Sequence, residues 1–180
     1  MIEPSDQMLV RAVLAGRKEA YEKLYDRYAA LVRAVCYDTT RNLADAQDLA
    51  QDVFMRAYEK LERLREPGLF GRWVVGIARL RCKEWKREKA RSQDKHSMLN
   101  EAKSSVAACS NEGQIGQLRE MIRKLPTKER LVLHTFYLQD KPAEAARRIL
   151  GLSRSGFYGV LERARKRLAV LLAQKQQDVQ

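Results

Sequence analysis

The chain has 180 residues, and its 35 Lys and Arg against 23 Asp and Glu give a formal net charge of +12, which predicts a polyanionic partner such as nucleic acid. Apolar residues make up 45% of the sequence, enough to build a core in one domain or two small ones, which excludes a disordered chain. The start of the chain resembles no signal peptide, and no apolar run reaches the ~20 residues of a membrane span. We therefore expect a cytoplasmic protein without a membrane span.

Apolar residues recur at helical spacing in both halves of the chain, without the alternation typical of strands, so the sequence predicts an all-α fold. A first helix stops at Gly16, and a second carries the apolar stripe from Ala20 to Val35. A third begins near Asn42 and is expected to carry Leu49, Val53, Ala57, Leu61 and Leu64 inward until Pro67 and Gly68. With a fourth helix from about Phe70 past Trp85, residues 1–90 are predicted to form a helical bundle.

Residues 91–113 have a different character, since serines, charges and amides replace the apolar periodicity, and this composition predicts a flexible linker. Roughly 20 such residues could reach ~70 Å, so two domains could touch separated DNA sites. Residues 114–180 return to helical spacing and are predicted to form a second small domain.

The second domain contains the punctuation of a helix-turn-helix motif. Pro142 suits the first turn of a helix ending near Leu150, Gly151 suits a left-handed turn, and Ser153 can cap the following helix. The inward stripe of that last helix is Phe157, Leu161, Ala164, Leu168 and Leu171.

The outer face of the last helix is basic, and residues 141–167 carry eight Lys and Arg against two Glu. The N-terminal residues Arg154, Ser155 and Tyr158 are candidates for reading base edges in the major groove. Phosphate contacts are expected from Arg163, Arg165, Lys166 and Arg167. For any single arginine, a solvated basic surface is an equally good interpretation.

Two further helices carry charged stripes. On the fourth helix, Arg79, Lys83, Lys86 and Arg87 repeat at helical spacing near Trp73 and Trp85, a combination that suits unstacked bases of single-stranded DNA. The alternative, favoured for Trp73, is that the tryptophans belong to the core. On the third helix, the stripe of Asp45, Asp48 and Asp52 suggests a basic protein partner, because the helix dipole does not account for Asp52.

The residues give no sign of catalysis, so we expect no enzyme, no cofactor and no metal site. His96 lies in the predicted linker, and His134 lies in an apolar helix without an evident catalytic companion. Cys36, Cys82 and Cys109 are odd in number and far apart, which predicts neither a disulfide framework nor a zinc site and favours buried or idle thiols.

Together these motifs resemble the extracytoplasmic-function group of bacterial RNA polymerase sigma factors over nearly the whole chain. The stretch from Asp45 to Tyr58 is similar to the polymerase-binding helix of sigma region 2. The resemblance implies binding to core RNA polymerase, through the beta-prime clamp helices and the beta subunit, with an anti-sigma factor as a further partner. The implied polymerase-binding residues are Asp45, Asp48, Gln51, Asp52, Phe54 and Arg56.

The same resemblance implies two promoter contacts. The stretch from Phe70 to Arg87 looks like the region that melts the minus-ten element, and residues 65–70 would form the pocket for a flipped base. The residues implied for minus-ten DNA are Phe70, Arg72, Trp73, Arg79, Lys83, Lys86 and Arg87. Residues 151–168 resemble region 4, and the residues implied for the minus-thirty-five element are Arg154, Ser155, Tyr158, Arg163, Arg165 and Arg167.

The sequence also departs from the family pattern. Leu80 stands where many members have Asn, which affects the strand pocket, and Tyr158 and Val160 replace residues that are commonly basic. One extra residue between Ala146 and Gly151 suggests a shifted or bulged first helix of the motif.

Two other classes of function remain as alternatives: a stand-alone helix-turn-helix regulator and a basic helical scaffold. The acidic third helix argues against the first, which needs no polymerase-docking motif. The Gly151 and Ser153 punctuation argues against the second.

Overall fold

The structure is a computed structural model that describes residues 4–96, 110–140 and 142–177. In these ranges it has eight α-helices and no β-strand, which confirms the all-α prediction. The helices are α1 Asp6–Leu14, α2 Glu19–Thr40, α3 Leu43–Glu59, α4 Phe70–His96, α5 Ser110–Lys124, α6 Thr127–Leu138, α7 Pro142–Leu150 and α8 Arg154–Gln177. Most of the predicted linker, residues 97–109, lies outside the described residues, as does Cys109.

Helices α1 to α4 form the N-terminal bundle, and local capping explains where two of them begin. The Ser5 hydroxyl accepts a hydrogen bond from the Met8 amide at the start of α1. The Asn42 side-chain oxygen accepts from the amides of Ala44 and Asp45 at 2.8 and 3.1 Å and starts α3 as predicted. Gly16 ends the first helical segment with a φ of 90°, a conformation that glycine adopts without strain.

The third helix is shorter than predicted, because α3 ends at Glu59 and a 3-10 turn follows over Leu61–Arg63. Residues three apart lie on the same side of a 3-10 turn, so Leu61 and Leu64 remain buried although the α-helix has ended. A second 3-10 turn, Pro67–Leu69, leads into α4.

The core of the bundle is built around the fully buried rings of Tyr28 and Phe70. The Tyr28 hydroxyl donates a 2.5 Å hydrogen bond to the buried carboxylate of Asp6, which also pairs with Arg27 at 2.5 Å. A β-carbon at Gly71 would lie 2.7 Å from the Tyr28 ring, so glycine is what allows α4 to approach α2 this closely.

Helices α5 to α8 form the C-terminal half and bury a second, smaller apolar cluster. Phe157, Leu161 and Ala164 are buried, and Leu168 and Leu171 are half-buried, so the predicted inward stripe of α8 is confirmed. Gly151 has a φ of 66°, as the turn requires. The residues of α7 form a continuous α-helix, so the extra residue before Gly151 produces no bulge there.

The two halves pack against each other, a contact that the sequence did not predict. Leu131, Ala145 and Ile149, from α6 and α7, belong to the same buried cluster as the bundle core. The Asp38 carboxylate on α2 accepts a 2.9 Å hydrogen bond from Arg130 and lies 3.3 Å from His134 Nε2. The second half therefore lies on the bundle, with α6 against α2 and α7 against α4.

Candidate protein and nucleic-acid interfaces

The outer face of α3 presents the acidic stripe, but its members differ in exposure. Asp48 and Gln51 are exposed, whereas Asp45, Asp52 and Arg56 are half-buried. Asp45 lies in the first turn of the helix, where a negative charge is favoured by the helix dipole. The surface open to a partner is therefore centred on Asp48 and Gln51.

Asp52 is held in an ion-pair network that joins α3 to α4. Its carboxylate accepts hydrogen bonds from Arg56 at 3.1 Å and Arg81 at 2.5 Å, and both arginines also contact Glu84. Burial acts to raise the pKa of Asp52, but the hydrogen bonds and charges of Arg81 and Arg56 outweigh it and hold that pKa below its usual range. Asp52 is thus ionised, and it positions Arg56.

Arg81 is the member of this network that sequence reasoning missed. Arg81 is one of many cations in α4, and its contact with Asp52 follows from the packing of α4 on α3. Sequence signals for it exist within α4, since Glu84 and Glu88 follow Arg81 at helical spacing and both pair with it.

Phe54 and Phe70 depart from the expected roles, because both are core residues. Phe54 is 4% exposed and packs its ring against Tyr25 at 4.7 Å between centroids. Phe70 is fully buried between the rings of Tyr28 and Trp73. Phe54 lies on the buried side of α3, and Phe70 lies at the buried start of α4. Both side chains therefore support the surface from beneath.

A cavity of about 560 Å³ lies between the loop before α4 and the first turns of α4. This is within the size range of small-ligand sites. Trp73 is half-buried, so it both packs against the core and lines the cavity. The lining residues are Arg63, Leu64, Arg65, Glu66, Leu69, Arg72, Trp73, Gly76, Ile77 and Leu80.

The basic stripe of α4 lies further along the helix and is separate from this cavity. Arg79, Lys83, Lys86 and Arg87 are all exposed. The first three line a smaller crevice of about 170 Å³ that faces α6. Trp85 packs against the bundle core, and the Lys89 ammonium lies 5.4 Å from its ring centroid. The residues predicted to bind the minus-ten strand are therefore divided. Arg72 and Trp73 line the larger cavity, and Arg79, Lys83 and Lys86 line the smaller crevice.

On α8, the three residues expected to read bases, Arg154, Ser155 and Tyr158, are exposed near the start of the helix. The Ser153 hydroxyl accepts a 3.1 Å hydrogen bond from the Gly156 amide, which confirms its predicted capping role. Further along, Arg165 stacks over the Phe136 ring at 4.8 Å and Arg167 pairs with Glu129 at 3.2 Å. These two arginines have intramolecular contacts, whereas the helix start presents its side chains outward.

Metal sites and membrane spans are both absent from the described residues. Across residues 4–96, 110–140 and 142–177, no group of three or more His, Cys, Asp or Glu side chains is placed to hold a metal ion. None of the helices in the same ranges combines the length and the apolarity needed to cross a membrane.

Helix α3 and most of α4 lie within a stretch of the chain that matches a known protein family. Residues 24–92 match the family model for sigma-70 region 2. The chain is 27% identical over 163 residues to "Probable RNA polymerase sigma factor RfaY" of Xanthomonas campestris pv. campestris, covering 84% of this chain. It is also 27% identical over 174 residues to "ECF RNA polymerase sigma factor BldN" of Streptomyces coelicolor, covering 91% of this chain. The alignments span 40% of the length of RfaY and 64% of the length of BldN.

The fold is similar to a solved structure of CnrH in complex with the cytosolic domain of CnrY. The TM-score is 0.64 at 22% sequence identity, over 95% of this chain and 99% of that chain. The likeness therefore extends through both halves. Residues 24–92 thus match sigma-70 region 2, and along most of its length the chain is similar to sigma factors, among them one of the extracytoplasmic-function group.

Proposed function

We propose that this chain is an alternative sigma factor that binds core RNA polymerase and directs promoter recognition, strand opening and transcription initiation. The observation that carries the proposal is the exposed acidic and amide surface of α3, centred on Asp48 and Gln51, within the region 2 match. An acidic face on a protein of net charge +12 is suited to a basic protein surface, whereas the basic faces of α4 and α8 suit DNA.

The polymerase contact is assigned to α3 and to the beta-prime clamp helices, with the beta subunit as a further contact. Asp48 and Gln51 supply exposed polar groups, and the Asp52 network holds Arg56 beside them. A side chain fixed by two partners loses less conformational entropy on binding than a freely rotating one. The network of Asp52, Arg81 and Glu84 thus acts as a positioning device beneath the contact surface.

The minus-ten strand is assigned to the cavity in front of α4 and to the basic stripe beyond it. Trp73, Ile77 and Leu80 offer apolar surface for a flipped base, while Arg63, Arg65 and Arg72 offer donors at the rim. Arg79, Lys83, Lys86 and Arg87 then follow the backbone of the strand. Leu80 adds an apolar wall where an amide is common in the family.

The minus-thirty-five element is assigned to α8. Arg154, Ser155 and Tyr158 at its start are exposed and suit base edges, while Arg163 further along suits phosphates. Arg165 and Arg167 can reach phosphates after exchanging their present partners, Phe136 and Glu129.

An anti-sigma factor is proposed as the regulatory partner. CnrH, which shares the fold, was solved with the cytosolic domain of CnrY bound. The proposed function also implies that the chain works in the bacterial cytoplasm, where polymerase and chromosomal DNA are found.

The test of polymerase binding is a pull-down of bacterial core RNA polymerase with the wild-type chain and with Asp48→Arg. Asp48 is the sharper position, because Asp52→Arg would also break the contacts to Arg56 and Arg81. Glu22→Arg, an exposed site on α2 with the same change of charge, is the control. Loss of binding in Asp48→Arg alone supports the proposal.

The test of promoter binding pairs Arg154→Ala with Arg11→Ala, an exposed arginine on α1. Arg154→Ala should spare polymerase binding and weaken promoter binding by about 1–3 kcal/mol, whereas Arg11→Ala should change neither. Run-off transcription on a promoter library checks the outcome. If the wild type binds no polymerase but shifts duplex DNA alone as a dimer, a stand-alone regulator replaces this proposal.

A further inference from the structure

Two cysteines that are far apart in the sequence are neighbours inside the bundle. Cys36 on α2 is fully buried, and Cys82 on α4 is 6% exposed. The Cys82 sulfur lies 3.8 Å from the carbonyl oxygen of Val35, the residue just before Cys36. The Cys82 thiol donates to that carbonyl oxygen, so the two side chains are neighbours where α2 packs on α4. Cysteines placed in this way across two packed helices can form a disulfide once their sulfurs approach to about 2 Å.

Cys82 can also be reached from solvent, because it lines the crevice of about 170 Å³ between α2, α4 and the start of α6. Since a water molecule occupies about 30 Å³ of liquid volume, the crevice has room for a small oxidant but not for a protein thiol of a partner. Cys36 lies behind Cys82, in the core cluster. Cys82 is thus the cysteine that an oxidant can reach, and Cys36 is placed to attack the oxidised Cys82 and form the disulfide.

The crevice is basic, which favours the ionised form of the accessible sulfur. Arg79, Lys83, Lys86 and Arg130 line it, and Asp38 is the acid among them. The hydrogen bond from Cys36 lowers the pKa of Cys82, and despite the opposing effects of burial and Asp38, Thr39 and Lys86 bring it to about 7. The pKa of Cys36 is raised, by its hydrogen bond to Cys82 and by burial, so Cys36 stays a thiol.

We infer that Cys36 and Cys82 form an oxidisable dithiol that reacts with hydrogen peroxide to give an intramolecular disulfide. The Cys82 thiolate attacks one peroxide oxygen, the O–O bond breaks, and Cys82 becomes a sulfenic acid while hydroxide leaves and is protonated to water. The Cys36 sulfur then attacks the Cys82 sulfur, a disulfide forms, and a second water leaves with the Cys36 proton. The two thiols lose two electrons in total, and one peroxide is reduced to two waters.

The sequence alone predicted buried or idle thiols, because the spacing of the cysteines matches no framework, and Cys36 and Cys82 are indeed buried. What changes that interpretation is the packing of α2 on α4, which brings the two sulfurs together beside cations. Arg79, Lys83 and Lys86 line this crevice and are also proposed to follow the DNA strand, but the oxidation of Cys36 and Cys82 does not require that DNA contact.

The experiment treats the full chain with hydrogen peroxide at pH 7, followed by alkylation of free thiols and peptide mapping by mass spectrometry. We expect a cross-linked peptide that contains Cys36 and Cys82 within one chain and that dithiothreitol separates. Because of its larger thiolate fraction, Cys82 should react about ten times faster than glutathione. The same reaction in urea should lose this preference.

Variants separate the two roles. Cys36→Ser should leave a Cys82 sulfenic acid that dimedone traps, Cys82→Ser should give neither product, and Cys109→Ser should behave like the wild type. Circular dichroism of each variant checks folding, and the wild-type peptide map does not depend on the variants. A Cys82 to Cys109 link, a link between two chains, or a Cys82 rate equal to that of glutathione would overturn the inference.

Discussion

The two halves of the molecule differ in how completely they bury their own apolar residues. The bundle encloses Tyr28 and Phe70 fully, and a buried carboxylate, Asp6, anchors the Tyr28 hydroxyl. The C-terminal half has a smaller core and gives three of its apolar residues to the bundle cluster. Large apolar side chains are exposed in both halves, for example Leu43 and Leu80 in the bundle and Tyr137 and Val170 in the C-terminal half, so the difference lies in the cores. We therefore expect the bundle to be stable by itself and the C-terminal half to depend on it.

The contact between the halves bears on the proposed binding of two DNA elements. The halves are held together by a few apolar residues and by the pairing of Asp38 with Arg130 and His134. Gln139 also donates a 3.0 Å hydrogen bond to the carbonyl oxygen of Arg27, and Arg119 lies over the Tyr37 ring at 4.8 Å. Contacts between the parts of one chain that involve so few residues are the kind that relative motion can open. The packed arrangement is then one state of the molecule.

The largest expected effect comes from removing a ring in either core. Phe157→Ala should destabilise the C-terminal half by about 3–5 kcal/mol, because Phe157 is fully buried there. The bundle should remain folded. Phe70→Ala removes a ring of the same size from the bundle, and the comparison predicts that both halves then unfold together.

Hydrogen exchange measured residue by residue distinguishes these outcomes. In Phe157→Ala, protection should be lost in α6 to α8 and kept in α2 to α4. If Phe157→Ala removed protection from both halves equally, the chain would be one cooperative unit and the comparison would be wrong.

A second pair of substitutions tests the bundle alone, on a single helix. Gly71→Ala should lower the free energy of unfolding by about 1–3 kcal/mol, because the new β-carbon would meet the Tyr28 ring, whose hydroxyl is held by Asp6. Gly76→Ala should raise it by about 0.5–1 kcal/mol, since nothing lies within 4 Å and alanine favours helix. Urea denaturation measures both, and equal destabilisation would mean that the space around Gly71 is not what limits the packing.

Periodicity and punctuation were enough to predict the all-α fold, the inward stripe of α8 and the turn at Gly151, because these features are local. The end of α3 was missed, since the apolar positions of a 3-10 turn continue the helical pattern. Contacts between distant segments were also missed. Arg81 with Asp52, Cys36 with Cys82 and Asp38 with Arg130 each join helices whose relative placement no spacing within one helix encodes.

The contact between the halves is tested by Asp38→Asn. This change removes the charge that faces Arg130 and His134, while Arg130 keeps its hydrogen bonds to two carbonyl groups within its own half. The loss should be about 1 kcal/mol, or about a fivefold increase in the separated fraction. Small-angle X-ray scattering should show a larger radius of gyration, and Glu22→Gln on the same helix should show none. An unchanged radius would mean that the remaining contacts, including those of Gln139 with Arg27 and Arg119 with Tyr37, hold the halves together without the Asp38 charge.

The smallest effect is expected from two helix caps, one in each half. Ser153→Ala removes the hydroxyl that accepts from the Gly156 amide, and Asn42→Ala removes the oxygen that accepts from Ala44 and Asp45. Each change should cost about 1 kcal/mol. The two changes should differ in how far the loss of protection from hydrogen exchange extends. Ser153→Ala should reduce protection only in α6 to α8, whereas Asn42→Ala should reduce it in both halves. If Asn42→Ala left α6 to α8 as protected as in the wild type, the C-terminal half would be stable without the bundle, and the expected dependence of one half on the other would be wrong.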